Sequence, residues 1–142
     1  MARPDPALLD PARYPYHTTI EPRFGDLDVN LHINNAAMAQ IIEHGRVKFH
    51  HATETTLRDG TRTSMVASLH IEYLGEAGLD ELDMHIGVAA VGRTSRTLAQ
   101  LVTQNGKPMA FARATLVNIV GGRPAPLSPE LTTSCDTWKL EP

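Results

Sequence analysis

One apolar stripe at helical spacing, followed only by alternating stretches, constrains this chain most. From Asn35 to His51, "NAAMAQIIEHGRVKFHH" sets Met38, Ile41, Ile42, Gly45 and Phe49 three or four residues apart, which gathers them on one side of an α-helix. That helix would be about 25 Å long at 1.5 Å per residue, and Asn34 or Asn35 offers a side-chain oxygen to the free N–H groups at its start. Downstream, Met65, Ala67, Leu69, Ile71 and Tyr73 interleave with Ser64, Ser68, His70 and Glu72. Leu82, Met84, Ile86, Val88 and Ala90 repeat the period, and a last strand is predicted from Met109 to Val120. Gly92 to Ser95 makes one turn. Asn105-Gly106 makes another, because a two-residue hairpin turn wants positive φ at both positions. A short strand at His17 to Phe24 precedes the helix. Short links make neighbouring strands antiparallel, so the sheet's apolar face is the natural cover for the stripe. The expected class is α+β.

The 142 residues are about one domain long, and folding at this size buries about 68–70% of the unfolded surface without staples. Pro4, Pro6, Pro11 and Pro15 in front and "GGRPAPLSPE" from Gly121 behind read as extended arms around a core of about residues 16–120. Cys135 is the only cysteine, which excludes an intrachain disulfide and fits a reducing, cytoplasmic setting. The start "MARPDPALLDPARYP" lacks the pattern of an export signal, and no apolar run nears the roughly 18 residues of a membrane span. A net charge of -3 with scattered basic residues argues against a nucleic-acid partner.

Chemistry must come from acids and amides. Ser95 lacks the Gly-x-Ser-x-Gly turn of hydrolase elbows, and Cys135 lies in the tail without a histidine motif. His44, His50, His51, His70 and His85 show no metal-binding spacing, so no metal is expected. The remaining concentration of polar groups is "DLDVNLHINN", Asp26 to Asn35. In extended backbone its alternation puts Asp28, Asn30 and His32 on one side and assigns Leu27, Val29 and Ile33 to packing. With a helix cap directly behind, it reads as an extended turn delivering polar groups to a helix end.

"RFGDLDVNLHINNAAMAQIIEHGR", Arg23 to Arg46, resembles the signature of the 4-hydroxybenzoyl-CoA thioesterase-like and acyl-ACP thioesterase families, Asp-x-Asp-x-x-Gly-His-Val-Asn-Asn before a central helix. Asp26, Asp28, His32, Asn34 and Asn35 match, with Ile33 for valine, and the likeness continues to Glu43 and Arg46. A weaker similarity, including "IEYLGEAGLDEL" from Ile71, extends it over most of residues 16–120. The resemblance implies a hotdog fold, a curved antiparallel sheet wrapped around a long central helix, and an acyl-CoA or acyl-ACP thioesterase without a cofactor. It also implies a homodimer or homotetramer.

By the same resemblance Asp28 is the catalytic carboxylate, with Asn30 and His32 orienting water or steadying charge, and Glu76 a further acid. Asn34 and Asn35 stand at the helix entrance, where unpaired N–H groups and the positive dipole end suit a developing oxyanion. Arg93 and Arg96, with Arg113, are candidates to grip coenzyme A phosphates as bidentate donors. Two departures stand out. Leu31 replaces the glycine of the bacterial pattern, and Ala36, Ala37, Met38 and Ala39 replace the usual helix aromatics, which points to a different acyl pocket. Two competing expectations follow. A non-catalytic acyl-CoA-binding protein is favoured by Leu31. An enoyl-CoA hydratase of Asp-x-Asn-Pro-x-His type is disfavoured, because His32 is four residues after Asp28 rather than five and proline is absent.

Overall fold

Every residue of the anticipated stripe is buried along α1 (Asn35–Ala52). Asn34 caps the helix, its Oδ1 accepting the Ala36 N–H at 2.8 Å, an interaction of about 1 kcal/mol. Gly45 brings the helix down on the sheet: a Cβ there would stand 2.7 Å from Met84 Cε.

The computed structural model describes residues 4–53, 58–59 and 62–142. Among them the strands are β1 (Tyr16–Ile20), β2 (Arg58–Asp59), β3 (Arg62–Tyr73), β4 (Leu82–Val91), β5 (Ser95–Gln104), β6 (Lys107–Val120) and β7 (Arg123–Pro124). They form one antiparallel sheet in the order β1-β4-β5-β6-β3-β2, with β7 on β6. Asn105 and Gly106 take φ of 51° and 78° at the β5–β6 turn, the positive pair that a tight hairpin requires. Leu82, Met84, Ile86 and Val88 on β4, Leu98 and Val102 on β5, and Ala110, Ala112, Ala114 and Leu116 on β6 form one core with the stripe of α1. The opposite face carries a smaller cluster of Tyr14, Ala99, Leu101 and Phe111. This is the hotdog arrangement, a curled sheet around one helix.

Strand β3 departs from the simple alternation. A bulge between Val66 and Ser68 inserts Ala67, so the row opposite Leu116, Ala114, Ala112 and Ala110 is Val66, Leu69, Ile71 and Tyr73, and Met65 turns to the other face. One extra residue reverses every side chain before it. Val66, Leu69 and Tyr73 stay exposed, because α1 packs over β1 and β4 at the other side of the sheet.

The ends correct the expectation of extended arms outside a core of residues 16–120. Pro6–Leu9 and Pro11–Arg13 are 3-10 turns, capped by Asp5 and Asp10, whose Oδ1 atoms accept the Ala7 and Ala12 N–H groups. Tyr14 is buried and its hydroxyl donates to Leu8 O at 2.7 Å. At the other end Ser128 caps α2 (Pro129–Thr137), which buries Cys135 in the main core. Proline is well suited to a first helical position, where its missing N–H has no partner to lose. Beyond α2, the Val88 N–H donates to Trp138 O (2.8 Å) and the Leu140 N–H to Val88 O (3.0 Å), so the tail covers the edge of β4 past the end of β1. Gly87 makes room: a Cβ there would stand 2.7 Å from Leu140 Cδ2 and 2.9 Å from Pro15 Cδ. Among the described residues no helix is long and apolar enough to cross a membrane.

Candidate active site

Strand β1 ends at Ile20 rather than Phe24, and Phe24–Asp26 forms a 3-10 turn. Asp26 closes it, Oδ2 accepting the Arg23 N–H at 2.8 Å and Oδ1 the Arg23 guanidinium at 3.1 Å. Burial pushes this carboxyl upward, but the Arg23 backbone and side-chain hydrogen bonds and its charge outweigh that, leaving it below the usual carboxylate range. The Asn34 N–H donates to Asp26 O at 2.8 Å, and Leu27 bridges Ile33. These contacts close the neck of a loop.

Within the neck, residues 28–32 curl around Asp28 instead of running extended. The Asp28 N–H donates to His32 O (2.8 Å) and the Leu31 N–H to Asp28 O (3.0 Å), while Asp28 Oδ1 accepts from the Asn30 N–H (2.8 Å) and the His32 N–H (3.1 Å). The carboxylate satisfies donors that an extended strand would have offered to a neighbour. Leu27 and Ile33 do pack against the core, but Val29 is 97% exposed and packs nowhere, contrary to the strand-like expectation. Leu31 sits at φ 62°. The left-handed conformation that glycine adopts freely is thus reached by leucine, at a cost of roughly 1–2 kcal/mol.

Asp28 is half-buried, and among the described residues its Oδ2 makes no hydrogen bond. Asn30 is exposed. His32 turns its Nε2 to within 3.5 Å of Glu76 Oε2, which stands on the loop from β3 to β4. The neighbouring Ala77 O accepts the Ile33 N–H at 2.7 Å, tying the two loops together. Tyr73, at the end of β3, donates its hydroxyl to Asn35 O in the first turn of α1 at 2.9 Å. Asn34 and Asn35 are exposed beside it. One end of the molecule therefore gathers Asp28, Asn30, His32, Asn34, Asn35 and Glu76.

The arginines lie elsewhere. Arg96 is 2% exposed, its Nη2 3.3 Å from His50 Nδ1 near the last turn of α1 and its side chain beside Cys135; its Nε has no hydrogen-bond partner among the described residues. The expected phosphate contact at Arg96 is corrected accordingly: alternation along β5 turns it into the core. Burial, then the charges of Arg96, Arg46 and His51, hold His50 down to about 3, so it stays neutral and accepts. Arg93 is exposed in the β4–β5 turn, at the end of the sheet where Arg96 meets His50. About 24 Å of helix separates that end from Asn34, and a single chain does not bring Arg93 to the loop.

Two residues outside the sequence-based set join this end: Tyr73, and Gln104, which hydrogen-bonds the loop carrying Glu76. The sequence signal for Gln104 is a polar side chain directly before the Asn-Gly turn. Among the described residues no cluster of three or more His, Cys, Asp or Glu side chains is placed to hold a metal ion. The arrangement offers a carboxylate with one oxygen fixed and one open, an imidazole beside an acid, and a helix N-terminus. Such a set can move a proton and stabilise an anion.

A family model described as the thioesterase-like superfamily matches residues 22–134. No curated protein sequence matches the chain significantly. A thioesterase from Thermus thermophilus, solved in complex with coenzyme A and Zn, superposes with a TM-score of 0.79 at 29% identity, over 89% of this chain and 96% of that one. A protein from Pseudomonas aeruginosa gives 0.81 at 18% identity, over 91% and 94%. A 1,4-dihydroxy-2-naphthoyl-CoA thioesterase from Synechocystis gives 0.78 at 14% identity, over 85% and 95%. The last two comparisons establish a common fold.

Proposed function

Since the chain belongs to the thioesterase-like superfamily, we propose that it hydrolyses an acyl-CoA or acyl-ACP thioester to a free acid and a thiol. The observation that carries the reading is Asp28: its Oδ1 is held by two backbone N–H groups and its Oδ2 is open, at the entrance to α1. Oδ2 either takes a proton from water as it attacks the thioester carbon or attacks that carbon itself, forming an anhydride that water then opens. The carbonyl oxygen becomes an oxyanion, favoured by the positive end of α1. His32, oriented by Glu76, and Asn30 serve to place the water or to protonate the departing thiolate. Leu31 no longer favours a purely binding role, because it adopts the positive φ that the glycine would supply. The free, buried Cys135 fits a cytoplasmic setting.

A coenzyme A substrate is supported by the family and by the bound coenzyme A of the Thermus thermophilus neighbour. Beyond its short pairing with β2, β3 has only β6 as a neighbour among the described residues, and it exposes Val66, Leu69 and Tyr73. An unpaired apolar edge of this kind fits a second copy, so the working form is proposed as a homodimer or homotetramer. Arg93 then meets phosphate only in a site built between copies.

The test is thiol release from a panel of acyl-CoA and acyl-ACP thioesters. Asp28→Asn is expected to lower kcat by about 10²–10⁴ on every good substrate. Equal rates for the two proteins would remove Asp28 from the mechanism, and tight binding of all thioesters without turnover would make the protein a binding module.

A further inference from the structure

Glu76 and His32 approach each other at 3.5 Å with both side chains substantially in solvent, where an ion pair gains little net energy and cannot fix a loop. Something else must hold Glu76 in place. Its loop is tied before and after it. Ahead, the Leu74 and Gly75 N–H groups donate to Met109 O at 2.9 and 3.3 Å. Behind, one side chain reads the backbone: Gln104 Oε1 accepts the Gly78 N–H at 2.9 Å, and Gln104 Nε2 donates to Gly78 O at 2.9 Å and to Asp80 O at 2.8 Å. Gln104 is 4% exposed, so its amide finds these partners or none, and both of its N–H donors are used. Asn105, next in the chain, adds a bond from Nδ2 to Asp80 Oδ2 at 3.2 Å.

Between the two anchors lie Glu76, facing His32, and Ala77, whose carbonyl accepts the Ile33 N–H. A shift of residues 78–80 therefore moves the acid and the backbone next to His32 together. We propose that Gln104 is a positioning residue that sets where Glu76 stands against His32. It acts through the loop and touches no substrate. The consequence for turnover rests on the thioesterase reading; the positioning itself does not.

Gln104→Met removes the three hydrogen bonds at nearly constant length, and Gln104→Asn keeps a neutral amide but draws it back from Gly78 and Asp80 by one methylene. Two measurements decide. In the free protein, amide hydrogen exchange at Ile33 is expected to quicken about tenfold or more in Gln104→Met, with central β5 and β6 amides unchanged, as for a local opening. In hydrolysis, kcat is expected to fall about 10–10²-fold at near-constant KM, and Glu76→Gln is expected to add nothing further in the Gln104→Met background. Should Gln104→Met fail to fold, Gln104→Asn is expected to give a smaller loss of the same pattern. Unchanged protection at Ile33, or losses from Gln104 and Glu76 that simply multiply, would overturn the proposal. A wild-type protein that hydrolyses no thioester sinks the functional reading instead, while the exchange data still decide the positioning.

Discussion

Replacing Leu31 by glycine and, separately, by alanine isolates the backbone energetics of the Asp28 loop. Leu31 holds φ 62° and is 66% exposed. Three contributions enter Leu31→Gly. Relief of the left-handed conformation stabilises by about 1–2 kcal/mol. The greater freedom of glycine in the unfolded chain costs about 0.5–1 kcal/mol. Losing the buried third of a leucine costs about 0.5–1 kcal/mol more. Leu31→Gly should therefore be nearly neutral overall. Leu31→Ala loses much of the same contact yet keeps the unfavourable φ, so it should be less stable than Leu31→Gly by about 0.5–1 kcal/mol. At an ordinary helix or strand position the order is reversed, with alanine the more stable by a similar margin. Urea melts of both variants, fitted with a common slope, read the difference directly. Alanine more stable than glycine by about 0.5 kcal/mol or more would refute the reasoning about this loop.

Acid behaviour should be traceable to His50. Its pKa in the fold is held down to about 3, whereas the unfolded chain takes up that proton near pH ~6.5. Below that pH the unfolded state binds more protons, so stability is lost as pH falls from about 6.5 toward about 3. Between pH 7.5 and 5 the His50 contribution to the loss is about 2 kcal/mol. His50→Gln, which keeps an acceptor for Arg96, should reduce the fall by about that amount, leaving the further loss of the same sign from His85, whose pKa burial also lowers. Identical urea midpoints across that range in the wild type would contradict this. Gln100 makes a second target. It links Arg46 Nη1 (3.0 Å) to Ile42 O (2.9 Å), with Gln100 and Arg46 both buried. Gln100→Leu strands a guanidinium and should cost about 3 kcal/mol, while adding Arg46→Met should restore much of it, because removing both partners leaves nothing unsatisfied. Additive losses in the double variant would show that the hydrogen bond is not what matters.

What was legible in the chain was local. The stripe from Met38 to Phe49 and the Asn105-Gly106 turn encode geometry within a few residues, and both form as their spacing dictates. The cap at Asn34 and the polar concentration between Asp26 and Asn35 were legible for the same reason. Alternation was less dependable. In β3 the bulge at Ala67 depends on pairing with β6, which no count along β3 contains, and it moves Met65 out of its expected row. Prolines at Pro6, Pro11 and Pro129 suggest extended arms, yet each begins a capped turn or helix.

The sequence by itself determined one long helix, antiparallel strands with a tight turn between β5 and β6, and an acid, amides and imidazole at the helix entrance, because helical period, turn chemistry and capping are short-range properties of a backbone. Tertiary structure decided the rest. It set β3 beside β6 rather than beside β4, its successor in the chain, curled residues 28–32 around a carboxylate, brought Glu76 from a distant loop to His32, placed Gln104 beneath that loop, and turned Arg96 into the core while leaving Arg93 in solvent. Each of these depends on which strand pairs with which and on the face a side chain meets, quantities set by contacts between segments far apart in the chain.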